Sequence, residues 1–230
     1  MLPRVLAVGL VAGLVAGLAI AALQHVTTTP LIVAAEVYET TQHAHDAAAA
    51  VAESGAPYEG AQRTAATSVA TISVSIGYAL ILLAGMLAAG DAIEPRRAAA
   101  WGACAFAATG LATALGLAPQ LPGAAETDLL GRQLWWIATA CFTGAGLFAL
   151  LRLDAVIAKL AGLALIAAPH LVGAPQPAAP ESTVPAELAA RFAASSLAVQ
   201  ALSWILAGVL VGMLWRHFVQ RDGDAPDAAL

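Results

Sequence analysis

Polar and apolar positions in this chain segregate into blocks rather than into helix faces. Five apolar blocks run over Val5–Leu23, Val69–Ala89, Ala98–Ala118, Leu134–Leu151 and Ala193–Trp215. Each reaches the roughly 17–25 residues that carry an α-helix across a bilayer. A sixth block, Ile157–Gly173, is shorter, with Lys159 near one end and Pro169 and His170 near the other. It reads as a span, with a re-entrant segment as the alternative. The pattern predicts an all-α, polytopic integral membrane protein. A single transmembrane domain fills residues 1–230, with about six transmembrane helices (5–23, 69–89, 98–118, 134–151, 157–173 and 193–215) and a long loop over 26–65. The first block exceeds the ~7–15 apolar residues of a signal-peptide core, so it is read as a span.

Composition agrees with this class. Hydrophobic residues make up 60% and charged residues 11%, where soluble domains carry about 25% charged residues. Mean hydropathy is +0.79. A net charge of −5 argues against nucleic acid as a partner and leaves the lipid bilayer. Cys104 and Cys141 lie inside apolar blocks and form neither a disulfide framework nor a zinc pattern.

Charge sets the orientation. With the N-terminus inside, the inner segments hold Arg4, Arg96, Arg97, Arg152, Lys159, Arg216 and Arg221, whereas the outer loops hold Arg63, Arg132 and Arg191. Seven basic residues against three is a positive-inside bias. It places both termini in the cytoplasm and the loops 26–65, 119–132 and 173–192 outside. The same assignment sends His25, His43, His45 and His170 to the outer side and collects most acids there. That makes an attractor for cations, although basic sorting alone leaves the outside acidic.

Three features carry candidate chemistry or packing. Gly9, Gly13 and Gly17 form a double small-xxx-small repeat, which lets another helix approach closely, within the chain or in an oligomer. Beyond Pro30, which is expected to kink the passage out of the first span, Leu31–Glu53 has strong helix formers and no Gly or Pro, so it reads as a helical extension. On that helix Glu36, Glu39, His43 and Asp46 fall within an arc of about 80°, and His45 points away. Imidazole with carboxylate suits a divalent transition metal; a solvated helix face is the alternative. His25 and His170 lie near the outer ends of spans, where an ionisable group usually faces a cavity or a partner. Pro169 frees a carbonyl beside His170. A histidine bonded to an interfacial carbonyl is the plainer reading. Trp135 and Trp136 read as interfacial anchors, and Asp128 with Arg132 as an ion pair across one turn.

The chain holds no phosphate-binding loop, no CxxC pair and no HExxH motif, so an enzyme is not expected, nor a resident cofactor.

Several stretches together resemble the CbtA-type predicted cobalt transporter subunits of bacteria. These are "PLIVAAEVYE" (30–39), "HAHD" (43–46), "APYEGAQRT" (56–64), "LPGAAETDLLGRQLWW" (121–136), "PHLVGAP" (169–175) and "VPAELAARFAASSL" (184–197). They follow the family's order over nearly the whole chain; the histidine run after "EVYE" is shorter here. The resemblance implies a multi-pass subunit of the inner membrane that moves Co²⁺ inward. It also implies a small one-span CbtB-type partner with a histidine-rich tail. The metal route would use His25, His170, Glu36, Glu39, His43, His45 and Asp46. A non-transporting assembly or metal-sensing subunit is the other function class.

Overall fold

Long runs of Ala, Leu, Val and Gly, broken by Pro, Gly and Asp, resolve into helices joined by short links. The computed structural model describes residues 2–46, 60–125, 127–177 and 182–220, with the side chains of the second helix as far as Tyr38. The helices are α1 Leu2–Val26, α2 Thr28–Asp46, α3 Gly60–Ala88, α4 Pro95–Phe106, α5 Ala112–Ala114, α6 Leu129–Arg152, α7 Val156–Val172 and α8 Ala186–Trp215. No strand occurs among the described residues. Helices over Leu2–Val26, Gln62–Ala88, Leu129–Arg152 and Ala186–Val219 are long and apolar enough to cross a membrane, and α7 is a shorter apolar helix.

Two details depart from expectation. The third apolar block is not one α-helix, because a π-helical turn, Ala107–Leu111, separates α4 from α5. The break after α1 falls at Thr27 rather than at Pro30. Pro30 sits in the first turn of α2, where an amide has no partner to lose. The expected continuation of α2 from residue 47 to Glu53 lies outside the described residues.

The chain forms two compact units, one from residues 1–24, 56–105 and 199–230, the other from 25–55 and 106–198. In the first, glycine governs the packing. Gly9, Gly13 and Gly17 are buried, and a Cβ on them would run into Leu80, Ile76 and Ile72 of α3. The descending register shows that α1 and α3 are antiparallel. Of the two partners left open for this face, the structure shows the one within the chain, so an oligomer through the same glycines would have to displace α3. A second close contact joins α4 to α8. Gly102 abuts the carbonyl of Trp204, Gly208 that of Ala98, and Gly212 abuts Pro95. Tyr78 of α3 stacks on Trp204 at 3.8 Å between ring centroids. These registers bring Arg4, Arg96, Arg97 and Arg216 to one end of the unit. There Asp91 accepts from Arg97 Nη1 at 2.8 Å and from Trp101 Nε1 at 2.9 Å.

In the second unit α6 and α7 form an antiparallel hairpin closed through Leu153–Ala155, with Gly146 and Gly162 facing each other. Asp128 caps α6 by accepting from Gly131 N at 2.6 Å. The carboxylate thus serves the exposed amides of the helix end, where its spacing pointed to a pair with Arg132. Glu187, in the first turn of α8, pairs instead with its own neighbour one turn on, Arg191, at 2.7 Å.

Candidate functional site

Parts of the three segments assigned to one side of the membrane meet in the second unit. Ala35 of α2, Leu121 and Val184 form a buried cluster, with Ile32, Leu188, Ala189 and Phe192 packed around it. The carbonyl of Gly123, whose φ of +81° suits a residue without Cβ, accepts from Thr183 Oγ1 at 3.3 Å and Ser182 Oγ at 3.4 Å. α2 is thereby seated against both other loops.

That seating gives the His/acid stripe a register. Thr28 and Ala35 are buried and Ile32 is half-buried, and the three lie on one line of α2. At about 100° per residue the same line continues through positions 39, 43 and 46. The side chains of Glu39, His43, His45 and Asp46 lie outside the described ones. Glu36 lies about 100° round from Ala35 and is half-buried.

His25 occupies the last turn of α1, half-buried, two residues before the break at Thr27. His170 is half-buried near the C-terminal end of α7, and its surroundings are well defined. α7 continues through Pro169 to Val172, so the proline does not break the helix. The Pro169 carbonyl accepts from Gly173 N at 3.0 Å and from Trp135 Nε1 at 3.1 Å. The Trp135 ring meets the imidazole of His170 edge to face, with centroids 5.9 Å apart and planes at 74°. Gly116 lacks a side chain where the Trp135 ring lies, since a Cβ there would overlap it.

This corrects the reading of Trp135 as an interfacial anchor. It is 8% exposed and braces α7 against α6, whereas Trp136 is 39% exposed. In sequence the two are equivalent. Their difference is helical phase: Trp135 shares a line with Thr139 and Thr143, both buried. Among the described residues, no three His, Cys, Asp or Glu side chains gather as a metal-binding group. Cys104 is half-buried, Cys141 is exposed, and both are free thiols.

No curated protein and no solved structure matches the chain. The family described as probable cobalt transporter subunit (CbtA) matches residues 2–216. That range takes in every helix described above from its first residue, including α2 with its His/acid stripe and the Trp135–His170 contact. The chain belongs to the CbtA family of probable cobalt transporter subunits.

Proposed function

We propose that this membrane subunit moves Co²⁺ inward through its helices, as part of an uptake system in the bacterial inner membrane. The observation that carries the reading is the pair of half-buried imidazoles, His25 and His170, at the ends of apolar helices in a chain of this family. In this reading the chain crosses the membrane six times, with α4 and α5 as one span and α7 as another. Both termini are cytoplasmic, as the basic bias favours. Glu36, Glu39, His43, His45 and Asp46 form the outer mouth, which concentrates divalent cations. His25 and His170 exchange the ion deeper in, imidazole being a common ligand for divalent transition metals. The chain acts as a carrier, not an enzyme, and needs no resident cofactor. A small one-span CbtB-type subunit with a histidine-rich tail works beside it.

Cobalt accumulation by cells expressing the chain, with and without that partner, is the test. His25→Ala and His170→Ala should abolish accumulation while the protein still inserts. His43→Ala or His45→Ala alone should only raise the metal concentration required. Normal uptake by both of the first pair would remove the histidine path. Labelling of single cysteines from outside should reach position 54 and not 222; the reverse would invert the topology.

The packing of α2 on the loops favours a second reading, a subunit that assembles or senses rather than conducts. It predicts that uptake by the whole system survives all four histidine changes but fails when Ala35→Glu undoes the loop cluster.

A further inference from the structure

Four arginines of the first unit stand at one level. Arg4 directly precedes the apolar block Val5–Leu23, Arg96 and Arg97 directly precede Ala98–Ala118, and Arg216 directly follows Ala193–Trp215. Three apolar stretches thus turn cationic together, at the end of the unit where Gly212 abuts Pro95. Apolar helices that cross a bilayer end at the depth of the lipid headgroups. Trp215, which closes α8 beside Arg216, is a residue type suited to that depth. All four arginines are exposed.

The acids at this end are too few to balance them. Asp91, its side chain 9% exposed, accepts through Oδ1 from Arg97 Nη1 at 2.8 Å and from the Ala92 amide at 3.0 Å. Its Oδ2 accepts from Trp101 Nε1 at 2.9 Å. Arg97 is thereby held in place while its side chain stays 57% exposed. Glu94 is the second acid, also exposed. Among the described residues neither Arg96 nor Arg216 has an ion-pair partner. The line of α4 that starts at Arg96 continues through Ala100 and Ala103, both exposed. Beyond the guanidinium, that outward strip therefore carries methyl groups alone.

We propose that this end of the first unit binds an anionic phospholipid. Arg96 and Arg97 hold the headgroup phosphate, Arg4 and Arg216 add to the field around it, and an acyl chain lies over Ala100 and Ala103. Arginine suits the task because its planar fork meets phosphate oxygens in pairs. Basic groups at a membrane surface each raise the affinity for anionic lipid about fivefold. Phosphatidylcholine brings the same phosphate with a choline cation, which the surplus charge repels; phosphatidylglycerol brings no cation. The inference is independent of what the chain transports.

A local reporter tests it. The full-length chain, with Cys104→Ser, Cys141→Ser and Ala103→Cys, carries a fluorophore at position 103 and is reconstituted with brominated phosphatidylglycerol or brominated phosphatidylcholine. Quenching should favour the anionic lipid by about tenfold or more, and Arg96→Gln or Arg97→Gln should each cut that preference about fivefold. Equal quenching by the two lipids would mean that the arginines serve only to orient the chain, and overturns the proposal. Ala145 gives the control: it is exposed and lies seven residues from Arg152, as Ala103 does from Arg96. The same preference reported from Ala145→Cys would mean diffuse attraction to basic charge, and overturns the site. Replacing chloride by inorganic phosphate at equal ionic strength should leave the preference intact; its loss would make this a site for free phosphate. The chain's own acidic end, "DGDAPDAAL" (222–230), is the rival occupant. A preference that emerges only after Asp222→Asn, Asp224→Asn and Asp227→Asn would give the arginines to that segment instead of to lipid.

Discussion

The two units bury their helices by different means. In the first, backbone meets backbone: Gly9, Gly13 and Gly17 admit α3, and Gly102, Gly208 and Gly212 let α4 and α8 touch. In the second, the hairpin of α6 and α7 also closes on glycine, at Gly146 and Gly162, but its buried line is polar. Trp135, Thr139, Thr143 and Thr113 are all inside, with His170 against the first of them. Lipid supplies no hydrophobic force between helices, so close approach and hydrogen bonds must hold them together. The first unit combines this approach with hydrogen bonds between helices, Thr71 Oγ1 donating to Gln24 Oε1 at 2.7 Å among them. In the second, Trp135 Nε1 ties α6 to α7 through the Pro169 carbonyl, beside His170. Chemistry belongs where polar groups are already sheltered.

The contrast is sharpest at the glycines. Gly13→Leu, or Gly208→Leu in the other pair, should cost about 3 kcal/mol or more, the upper end of overpacking. The obstacle is backbone, Ile76 for one and Ala98 for the other, and backbone cannot swing aside. Folded yield and thermal stability in detergent are the measurements; an unchanged melting temperature would end the account of the first unit. A smaller effect is expected in the second unit. Trp135→Phe removes the indole donor but leaves the Pro169 carbonyl its bond from Gly173. The loss should be about 1 kcal/mol, with the ring-proton chemical shifts of His170 visibly changed, since its imidazole meets the Trp135 ring. A loss as large as at Gly13 would erase the distinction between the units. The smallest effect should be a gain. A Cβ on Gly77 would meet nothing within 4 Å beyond its own helix, so Gly77→Ala should stabilise α3 by about 0.5–1 kcal/mol. A lower melting temperature for that variant would show that the open face at Gly77 is needed for something other than packing.

Gly9, Gly13 and Gly17 show what the sequence makes legible: small residues at a fixed spacing identify a contact face before its partner is known. The same signal stands at Gly208 and Gly212, opposite Ala98 and Pro95, where it is easily lost among many other small residues. Span ends are harder. α3 starts at Gly60 and α8 at Ala186, ahead of the apolar blocks they carry, because helical propensity continues where hydropathy stops. Nothing in "AATGL" announces a π-turn, since its residues suit an α-helix and the widening reflects the neighbours. Trp135 and Trp136 are indistinguishable in sequence for the same reason: the phase of a helix against its surroundings is a tertiary fact. Of the candidate site, His25, His170 and Glu36 are legible as ionisable groups in or beside apolar helices, and all three are half-buried. The brace that holds His170 in place is not legible.

The π-turn also makes chain length matter in a segment with no loop in it. Ala98 and Gly102, before the turn, meet α8; Ala108 within it and Thr113 after it belong to the other unit. The two halves of a nearly continuous helix thus answer to different neighbours. Removing one residue between 107 and 111 would swing everything downstream by about 100°, carrying Thr113 off its position. Substitutions there are a matter of fit, whereas a one-residue deletion would be a frameshift in three dimensions.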